Sequence, residues 1–332
     1  APSPAPPPRR SRGKDIVNMA MKAGEKKARE ECDKGREEDK RARNALELEN
    51  KALKAQLAAA KRNTLVTVPY AKLVEATRGF SDGLGEGGFG EVYRGRMNEA
   101  DIAVKVLSKE NERNAYDSFR RESTVLAQLD HPNVVPLHAV SMEPGQPLCL
   151  VYPLYARGAL SGALREAPGL DTRERLAIAL DVSRGLAYLH AKGIVHRDIK
   201  PANILLGAEG AVLADVGCAR DLSLPPTSFS SGWAPGTPDY LCPVYKETKT
   251  PTKAADIYSF GVVLEDLAEA GGPAGSGLKI YFTKLAERCK CYRGRDTTAR
   301  PTASWLAREL VGYRDWLARD PARARAAGMG PN

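Results

Sequence analysis

Histidine and cysteine are scarce in this chain, which has four histidines and six cysteines among 332 residues. The cysteines are scattered through mostly apolar segments, a pattern typical of reduced thiols rather than of a disulfide framework. Cys289 and Cys291 are closely spaced, but no second His or Cys pair lies near them to complete a zinc site. The sequence therefore favours neither a disulfide-stabilised domain nor a zinc domain.

Long apolar runs are also missing. No stretch approaches the ~18 consecutive apolar residues of a membrane-spanning helix, and no signal-peptide pattern opens the chain. We therefore expect no membrane span in this chain, and a cytoplasmic location. The sequence shows no internal repeats. Because it starts at Ala1 rather than at methionine, we interpret it as a fragment or a processed piece.

Positive charge is concentrated at the N-terminal end: residues 1–62 hold 17 basic and 10 acidic residues, within a net charge of +9. Residues 14–62 read as a charged helix. A solvated helix and a short coiled coil for self-association both remain open, because only two heptads are clear. A basic arm without interleaved aromatics does not predict specific nucleic-acid binding. The candidate a/d positions are Leu46, Asn50, Leu53 and Leu57.

Residues 196–203 read HRDIKPAN and form the most informative segment of the chain. They place a candidate general base, Asp198, a cation, Lys200, and a metal-binding amide, Asn203, within one short stretch. Transfer of a phosphoryl group to a hydroxyl needs such groups, because positioning and charge neutralisation supply most of its catalysis. The segment alone is a weak signal, and the motifs on both sides of it strengthen it.

A glycine-rich segment lies upstream, where residues 85–92 read GEGGFGEV and match G-x-G-x-x-G-x-V. Without a Cβ, glycine lets the backbone close over phosphates. Dinucleotide-binding folds share the shorter motif, but a helix follows it there, whereas residues 92–95 read as another strand. The predicted loop site comprises Gly85, Glu86, Gly87, Gly88, Phe89, Gly90 and Val92.

Residues 101–107 read as a strand on which Ala103 and Lys105 share one face. We expect Lys105 to point beneath the glycine-rich loop, with Ala103 able to touch an adenine ring. Glu122, on the next predicted helix, is the candidate partner of Lys105. The plain alternatives are a solvated lysine at a strand edge and an exposed helical glutamate.

Asp215 follows an apolar strand-like run, twelve residues after Asn203. An aspartate close to a glycine is often a turn residue. Carboxylate and amide oxygens are nevertheless hard ligands that suit Mg²⁺. Asp215 and Asn203 are therefore the candidate ligands of a magnesium ion bound together with a nucleotide triphosphate.

Taken together, these motifs resemble the eukaryotic protein kinase family over about residues 75–318. The chain is similar to the tyrosine-kinase-like group, which includes plant receptor-like cytoplasmic kinases, U-box kinases and interleukin-receptor-associated kinases. Residues 68–81 resemble the helix that precedes the glycine loop in that group. Residues 148–152 resemble its hinge strand, and residues 256–264 the buried helix of its lower lobe.

The resemblance implies an α+β, two-lobed protein kinase fold with an N-terminal charged helix. A small antiparallel sheet with one helix forms the first lobe, and the second lobe is larger and mostly helical. The implied boundaries are 1–13 for a disordered tail, 14–62 for the charged helix, 63–81 for a helix or linker, 82–153 for the N-lobe, 154–318 for the C-lobe and 319–332 for a second disordered tail.

The resemblance assigns the transfer chemistry to the region around Asp198. Asp198 would accept or orient the proton of the substrate hydroxyl, and Lys200 would neutralise charge on the γ-phosphoryl group. Asn203 and Asp215 would hold Mg²⁺. Thr237 would steady Asp198 and Lys200, and a lysine two residues after the aspartate is the serine/threonine pattern.

The implied cofactors are ATP and Mg²⁺. Lys105, paired with Glu122, would hold the α- and β-phosphates of ATP. The remaining residues implied to line the nucleotide site are Val92, Ala103, Tyr152 in the gatekeeper position and Leu205.

The predicted function is ATP-dependent phosphorylation of serine and threonine hydroxyls on protein substrates, in a signalling role. The alternative is a pseudokinase scaffold that binds nucleotide or partners without efficient transfer. Two departures from the family pattern keep it open. Val216 stands where a phenylalanine is usual, and Val244 stands where a glutamate usually pairs with an arginine, here Arg300.

Three further expectations follow from the resemblance. Asp256 should hydrogen-bond the backbone of the catalytic loop. The stretch between Leu264 and Lys279 is short, so the surface helix that is usual there should be trimmed. Arg197 is typical of kinases that need an activation-segment phosphate, for which the candidates are Thr227, Ser228, Ser230 and Ser231.

Overall fold

The computed structural model describes residues 65–87, 90–107, 112–166, 169–223, 236–270, 277–291 and 297–320. All of them belong to one unit, Thr64–Asn332. Several predictions lie outside the described residues. These concern the N-terminal tail, the charged helix with its coiled-coil positions, Gly88, Phe89, the four activation-segment candidates and residues 321–332 of the predicted C-terminal tail.

The first lobe is a five-stranded antiparallel sheet in the order β1-β2-β3-β5-β4, with two helices. Side chains from Ile102 to Leu107 on β3 are buried or half-buried, and the β-branched Ile102, Val104 and Val106 favour an extended strand there. The elements are α1 (Tyr70–Ala76), β1 (Gly83–Gly87), β2 (Gly90–Met97), β3 (Ala100–Leu107), α2 (Glu112–Leu126), β4 (Ala139–Ser141) and β5 (Cys149–Pro153).

The segment before α1 extends this sheet. The Val68 N–H donates to the Val140 carbonyl, and the Val140 N–H donates to the Val66 carbonyl, both at 2.8 Å. Residues 66–68 therefore run alongside β4, where we predicted a helix from residue 68. Helix α1 starts only after Pro69, which occupies the cap position. Proline is tolerated at the start of a helix but not in its interior, because it has no N–H group to donate.

The second lobe is mostly helical, and its helices enclose a continuous apolar core. A capping box, in which Asp171 and Glu174 bond reciprocally, fixes the start of α4. The elements are α3 (Leu160–Ala163), α4 (Thr172–Ala191), β6 (Ile194–Val195), β7 (Ile204–Gly207), β8 (Gly210–Leu213), β9 (Arg220–Asp221), α5 (Pro243–Thr248), α6 (Lys253–Glu269), α7 (Gly277–Lys290) and α8 (Ala303–Ala318).

The predicted two-lobed α+β architecture is confirmed, with small differences in the helices. Helix α3 is short, with only four residues. We did not predict α5, which begins at a proline in the first helical position. Among the described residues, no helix is both long and apolar enough to cross a membrane.

The connection between α6 and α7 is short, since α6 ends at Glu269 and α7 begins at Gly277.

Arg175 on α4 supports the last turn of α6. It is 1% exposed, and its Nη1 atom donates to the Leu267 carbonyl at 3.0 Å. Burial lowers the pKa of Arg175 from its ordinary value. A buried guanidinium thus satisfies a carbonyl that the end of a helix leaves without an intrahelical partner.

A close backbone contact joins helix α4 to the segment that contains Asn133. A Cβ placed on Gly185 in α4 would lie 2.4 Å from the Asn133 carbonyl oxygen, whereas a Cβ on Gly162 in α3 meets nothing within 4 Å. We predict that Gly185→Ala destabilises the fold by about 2 kcal/mol through this clash. Gly162→Ala, the matched control, should be neutral or stabilising by about 0.5 kcal/mol.

Denaturant unfolding of the two variants checks this prediction. Equal midpoints for Gly185→Ala and Gly162→Ala would contradict the close approach of α4 to Asn133.

Candidate active site

Strand β3 places Lys105 at the centre of a buried ion cluster. Lys105 is 9% exposed, and its Nζ atom lies 2.9 Å from Oε2 of Glu122 and 2.9 Å from Oδ1 of Asp215. Burial alone would lower the pKa of Lys105, but the two carboxylates outweigh it and raise the pKa above its ordinary value. The side chain therefore stays charged, with the predicted partner Glu122 beside it.

Glu122 on α2 uses both carboxylate oxygens. Its Oε1 atom accepts a hydrogen bond from the Tyr152 hydroxyl at 2.6 Å. Burial and the neighbouring carboxylate of Glu122 raise the pKa of Tyr152 well above its ordinary value, so the hydroxyl is the donor. Sequence reasoning assigned Tyr152 to the nucleotide site and missed this bond, since no local pattern links a strand residue to a helix thirty positions away.

Asp215 lies directly after β8 in a left-handed conformation, with φ of 58° and ψ of 63°. Aspartate tolerates this region better than bulky residues do. Burial would raise its pKa, but Lys105 outweighs burial, and the pKa is lowered from its ordinary value. Asp215 is thus held as an anion at the end of an apolar strand. A residue that only formed a turn would not need this ion pair with Lys105.

Asp198 is the centre of a second polar cluster and is 6% exposed. Its Oδ1 atom accepts from both the N–H and the hydroxyl of Thr237, each at 2.9 Å. Its Oδ2 atom lies 2.9 Å from the Asn203 amide nitrogen and 2.9 Å from the Lys200 ammonium. Lys200 also donates to the Thr237 hydroxyl at 2.7 Å. Four residues predicted from two separate segments are therefore brought together.

Asp256, buried on α6, holds the backbone of the segment that carries Asp198. Its carboxylate accepts from the N–H groups of His196 and Arg197, each at 2.8 Å, and lies 2.9 Å from Nε2 of His190. Arg197 has a positive φ of 71°, a strained conformation that needs such support. The expectation that Asp256 bonds the catalytic-loop backbone is confirmed.

The donor set around Asn203 and Asp215 suits a hard cation. The Asn203 side chain donates its N–H groups to Asp198, so its amide oxygen is the atom that could bind a metal. The Ala214 N–H donates to the Asn203 carbonyl at 2.9 Å, which brings Asp215 beside that segment. Within the described ranges, no group of three or more His, Cys, Asp or Glu side chains could hold a metal ion.

Two protein oxygens fit Mg²⁺, which keeps several water ligands and usually takes one or two carboxylates together with substrate phosphates. They would not suit an ion that needs a cage of protein ligands. The residues present therefore fit magnesium bound with a phosphate-bearing substrate.

The glycine-rich segment forms the end of β1 and the start of β2. Gly85 pairs with Val92, and Gly87 pairs with Gly90, while the Glu86 side chain is exposed. Gly90 has a φ of +138°, and a Cβ there would lie 2.1 Å from the Val106 carbonyl oxygen. Glycine is thus required at position 90 by its packing against β3, in addition to any contact with phosphate.

The remaining predicted site residues lie on four strands, three in the first lobe and one in the second. In the first-lobe sheet, Val92 pairs with Lys105, and Ala103 pairs with Tyr152. These four residues therefore occupy neighbouring positions across β2, β3 and β5. Leu205 is half-buried on β7 of the second lobe, where it pairs with residue 212 on β8.

The turn after Asp215 packs beneath α2. Val216 is fully buried and belongs to the same apolar core as Leu126. The Arg121 Nη1 atom donates to the Gly217 carbonyl at 2.9 Å. Sequence reasoning missed Arg121, because nothing in the sequence distinguishes it from its neighbour Arg120.

Arg300 is 6% exposed, and Val244 leaves it without the carboxylate that is usual in the family. Its Nη2 atom is buried without a hydrogen-bond partner. The guanidinium instead donates to neutral groups and stacks on one ring. These groups are the Cys291 carbonyl at 3.1 Å, the Cys242 Sγ at 3.1 Å, the Ala254 carbonyl at 2.8 Å and the Tyr258 ring, whose centroid is 5.2 Å away.

Comparison with known proteins agrees with this geometry. The family described as "Protein tyrosine and serine/threonine kinase" matches residues 79–307. A probable LRR receptor-like serine/threonine-protein kinase of Arabidopsis thaliana is 39% identical over 214 residues, which cover 63% of this chain and 25% of that protein. The nodulation receptor kinase of Pisum sativum is 38% identical over 235 residues, covering 68% and 25%.

A third relative is a putative leucine-rich repeat receptor-like protein kinase of Arabidopsis thaliana. It is 40% identical over 201 residues, which cover 59% of this chain and 23% of that protein. The chain thus spans about a quarter of the length of these curated relatives.

The two Tyr–Glu hydrogen bonds of the first lobe allow a matched test of the buried cluster. We predict that Tyr152→Phe lowers the free energy of unfolding by about 1–3 kcal/mol, because a buried carboxylate oxygen loses its donor. Tyr93→Phe removes an exposed bond to Glu91 and should change stability by less than about 0.5 kcal/mol. Chemical denaturation measures both, and equal losses would contradict the buried role of Tyr152.

Arg300 gives a second test. We predict that Val244→Glu raises the free energy of unfolding by about 1 kcal/mol, because a carboxylate can pair with the unsatisfied guanidinium. In an Arg300→Met background the same substitution should be destabilising, since the new carboxylate has no cation. Thermal unfolding of the four proteins measures the coupling, and a Val244→Glu effect of equal size in both backgrounds would contradict it.

Proposed function

The chain belongs to the protein tyrosine and serine/threonine kinase family and is of the tyrosine-kinase-like type, and from that premise we propose its activity. We propose that it transfers the γ-phosphoryl group of ATP to serine and threonine hydroxyls of protein substrates, in a signalling role. The observation that carries this proposal is the cluster in which Asp198 contacts Lys200, Asn203 and Thr237.

The cluster supports a division of labour. Asp198 would accept the proton of the substrate hydroxyl as its oxygen attacks the γ-phosphorus, and the bond to the departing ADP oxygen would break in the same transfer. The Lys200 ammonium would offset the charge on the transferring group. Thr237 would hold both groups in register, because its hydroxyl accepts from Lys200 and donates to Asp198.

The Lys105 cluster supports nucleotide binding. Lys105 would contact the α- and β-phosphates, while Glu122 keeps the ammonium in place. Asp215 and Asn203 would hold Mg²⁺, which when bound supplies positive charge at the β- and γ-phosphates. The proposed lining of the nucleotide site is completed by Val92, Ala103, Tyr152, Leu205 and the glycine-rich residues 85–90.

Serine/threonine specificity rests on the same contacts. Lys200 stands two residues after Asp198, and its ammonium bonds Thr237 at 2.7 Å. A short side chain bearing the acceptor hydroxyl must come close to Asp198, whereas a tyrosine hydroxyl reaches the base from a ring farther out. Two of the Arabidopsis thaliana relatives are named as serine/threonine-protein kinases.

A pseudokinase scaffold is the weaker alternative, and the two valines that suggested it do not touch the reacting groups. Val216 is buried beneath α2, and Val244 lies on α5, just after Cys242, which contacts Arg300. The two polar clusters are complete in spite of both substitutions, which supports an active enzyme. We also keep as proposals the lobe boundaries at 82–153 and 154–318, self-association through residues 14–62, and a cytoplasmic location.

The decisive experiment measures phosphate transfer from radiolabelled ATP to a generic basic protein. We predict that Asp198→Asn lowers the rate by about 10²-fold or more, because the transfer loses its base. Asp101→Asn is the matched control, since this exposed carboxylate lies at the start of β3, away from the cluster. Equal rates for the wild type and Asp198→Asn would support the scaffold instead.

A further inference from the structure

Two arginines stand side by side on α2, and only one of them faces residues 215–218, the proposed magnesium loop. Arg121 is half-buried and donates to the Gly217 carbonyl at 2.9 Å. Arg120 is exposed. Because successive residues of a helix point about 100° apart, Arg121 reaches the loop while its other neighbour, Glu122, reaches Lys105 and Tyr152.

These contacts form a closed circuit. Lys105 bonds Glu122, whose chain neighbour Arg121 bonds the Gly217 carbonyl. Gly217 follows Asp215 by two residues, and Asp215 bonds Lys105 at 2.9 Å. The position of α2 and the conformation of the loop that carries Asp215 are therefore fixed by one set of bonds, and a shift of either one strains the other.

The polar contact matters because apolar packing at this point is limited. Val216 presents two methyl groups to the core beneath α2, and apolar contact has no preferred direction. A hydrogen bond from a guanidinium to a carbonyl is directional and stronger than a bond between neutral groups. It restrains the turn Val216–Cys218 in a way that the valine cannot.

We propose that Arg121 is a positioning residue for the nucleotide site: it couples α2 to the magnesium loop, so that Glu122 and Asp215 meet the same Lys105. The inference rests on the proposed function, because the loop matters only if Asp215 serves a magnesium-bound nucleotide. Arg121 itself contacts neither the substrate hydroxyl nor the transferring group in this account.

The coupling predicts a specific kinetic signature. Without the bond, α2 and the loop occupy the aligned arrangement for a smaller fraction of the time, and the apparent dissociation constant rises by the inverse of that fraction. Saturating ATP with Mg²⁺ restores the aligned arrangement. The KM for ATP should therefore rise, while kcat stays nearly constant.

The test compares Arg121→Met with Arg120→Met in the full chain. Methionine keeps most of the apolar stem and removes the donors, so packing is disturbed little. We expect Arg121→Met to weaken ATP binding in Mg²⁺, measured by calorimetry with a non-hydrolysable analogue, by about tenfold. The KM for ATP should rise by a similar factor, with kcat within about twofold of the wild type.

Arg120→Met should leave both quantities within about twofold, and Arg121→Lys, which retains a donor, should recover part of the loss. Equal binding constants for Arg121→Met and Arg120→Met would overturn the inference, as would a fall in kcat with unchanged ATP binding. Should Arg121→Met fold poorly, the same comparison is made with Arg121→Leu against Arg120→Leu, which also lack the donors, and equal binding constants again overturn it. The proposed function fails separately, when the wild type transfers no phosphate that depends on Asp198, and the binding comparison is unaffected by that result.

Discussion

The rest of the site depends on the ion pairs of the buried Lys105 ammonium. A lone charge in a protein interior is costly, so this lysine requires carboxylates beside it. One of them, Glu122, comes from a helix of the first lobe, and the other, Asp215, comes from the turn after a strand of the second lobe. Because the buried cation needs both carboxylates, the two lobes meet at Lys105, where the phosphates of a nucleotide would lie.

The sequence predicted the elements of this arrangement better than their linkage. Strand alternation identified β3 and the face of Lys105, and the order of the motifs identified Asp198, Asn203 and Asp215. The bonds from Tyr152 to Glu122 and from Arg121 to Gly217 were not predictable, because they join residues far apart in the chain through side-chain geometry alone. Propensity also failed at α5, where a proline at the first helical position reads equally well as a turn.

The two departures from the family pattern have different physical consequences. At Val216, the side chain is smaller than the usual phenylalanine but is still fully buried. The hydrogen bond from the charged Arg121 to the Gly217 carbonyl lies one residue away. At Val244, a buried guanidinium loses its usual carboxylate and binds carbonyls, a thiol and an aromatic face instead. Among the described side chains, the second change leaves a buried nitrogen of Arg300 without an acceptor.

The extended segment 66–68 has a consequence for association between molecules. It occupies the outer edge of β4, whose backbone groups would otherwise be open to pairing with an intruding strand. A version of the chain that begins after Pro69 would expose that edge as a template for intermolecular sheet growth. Residues 66–68 thus cover a sheet edge at which another chain could otherwise pair.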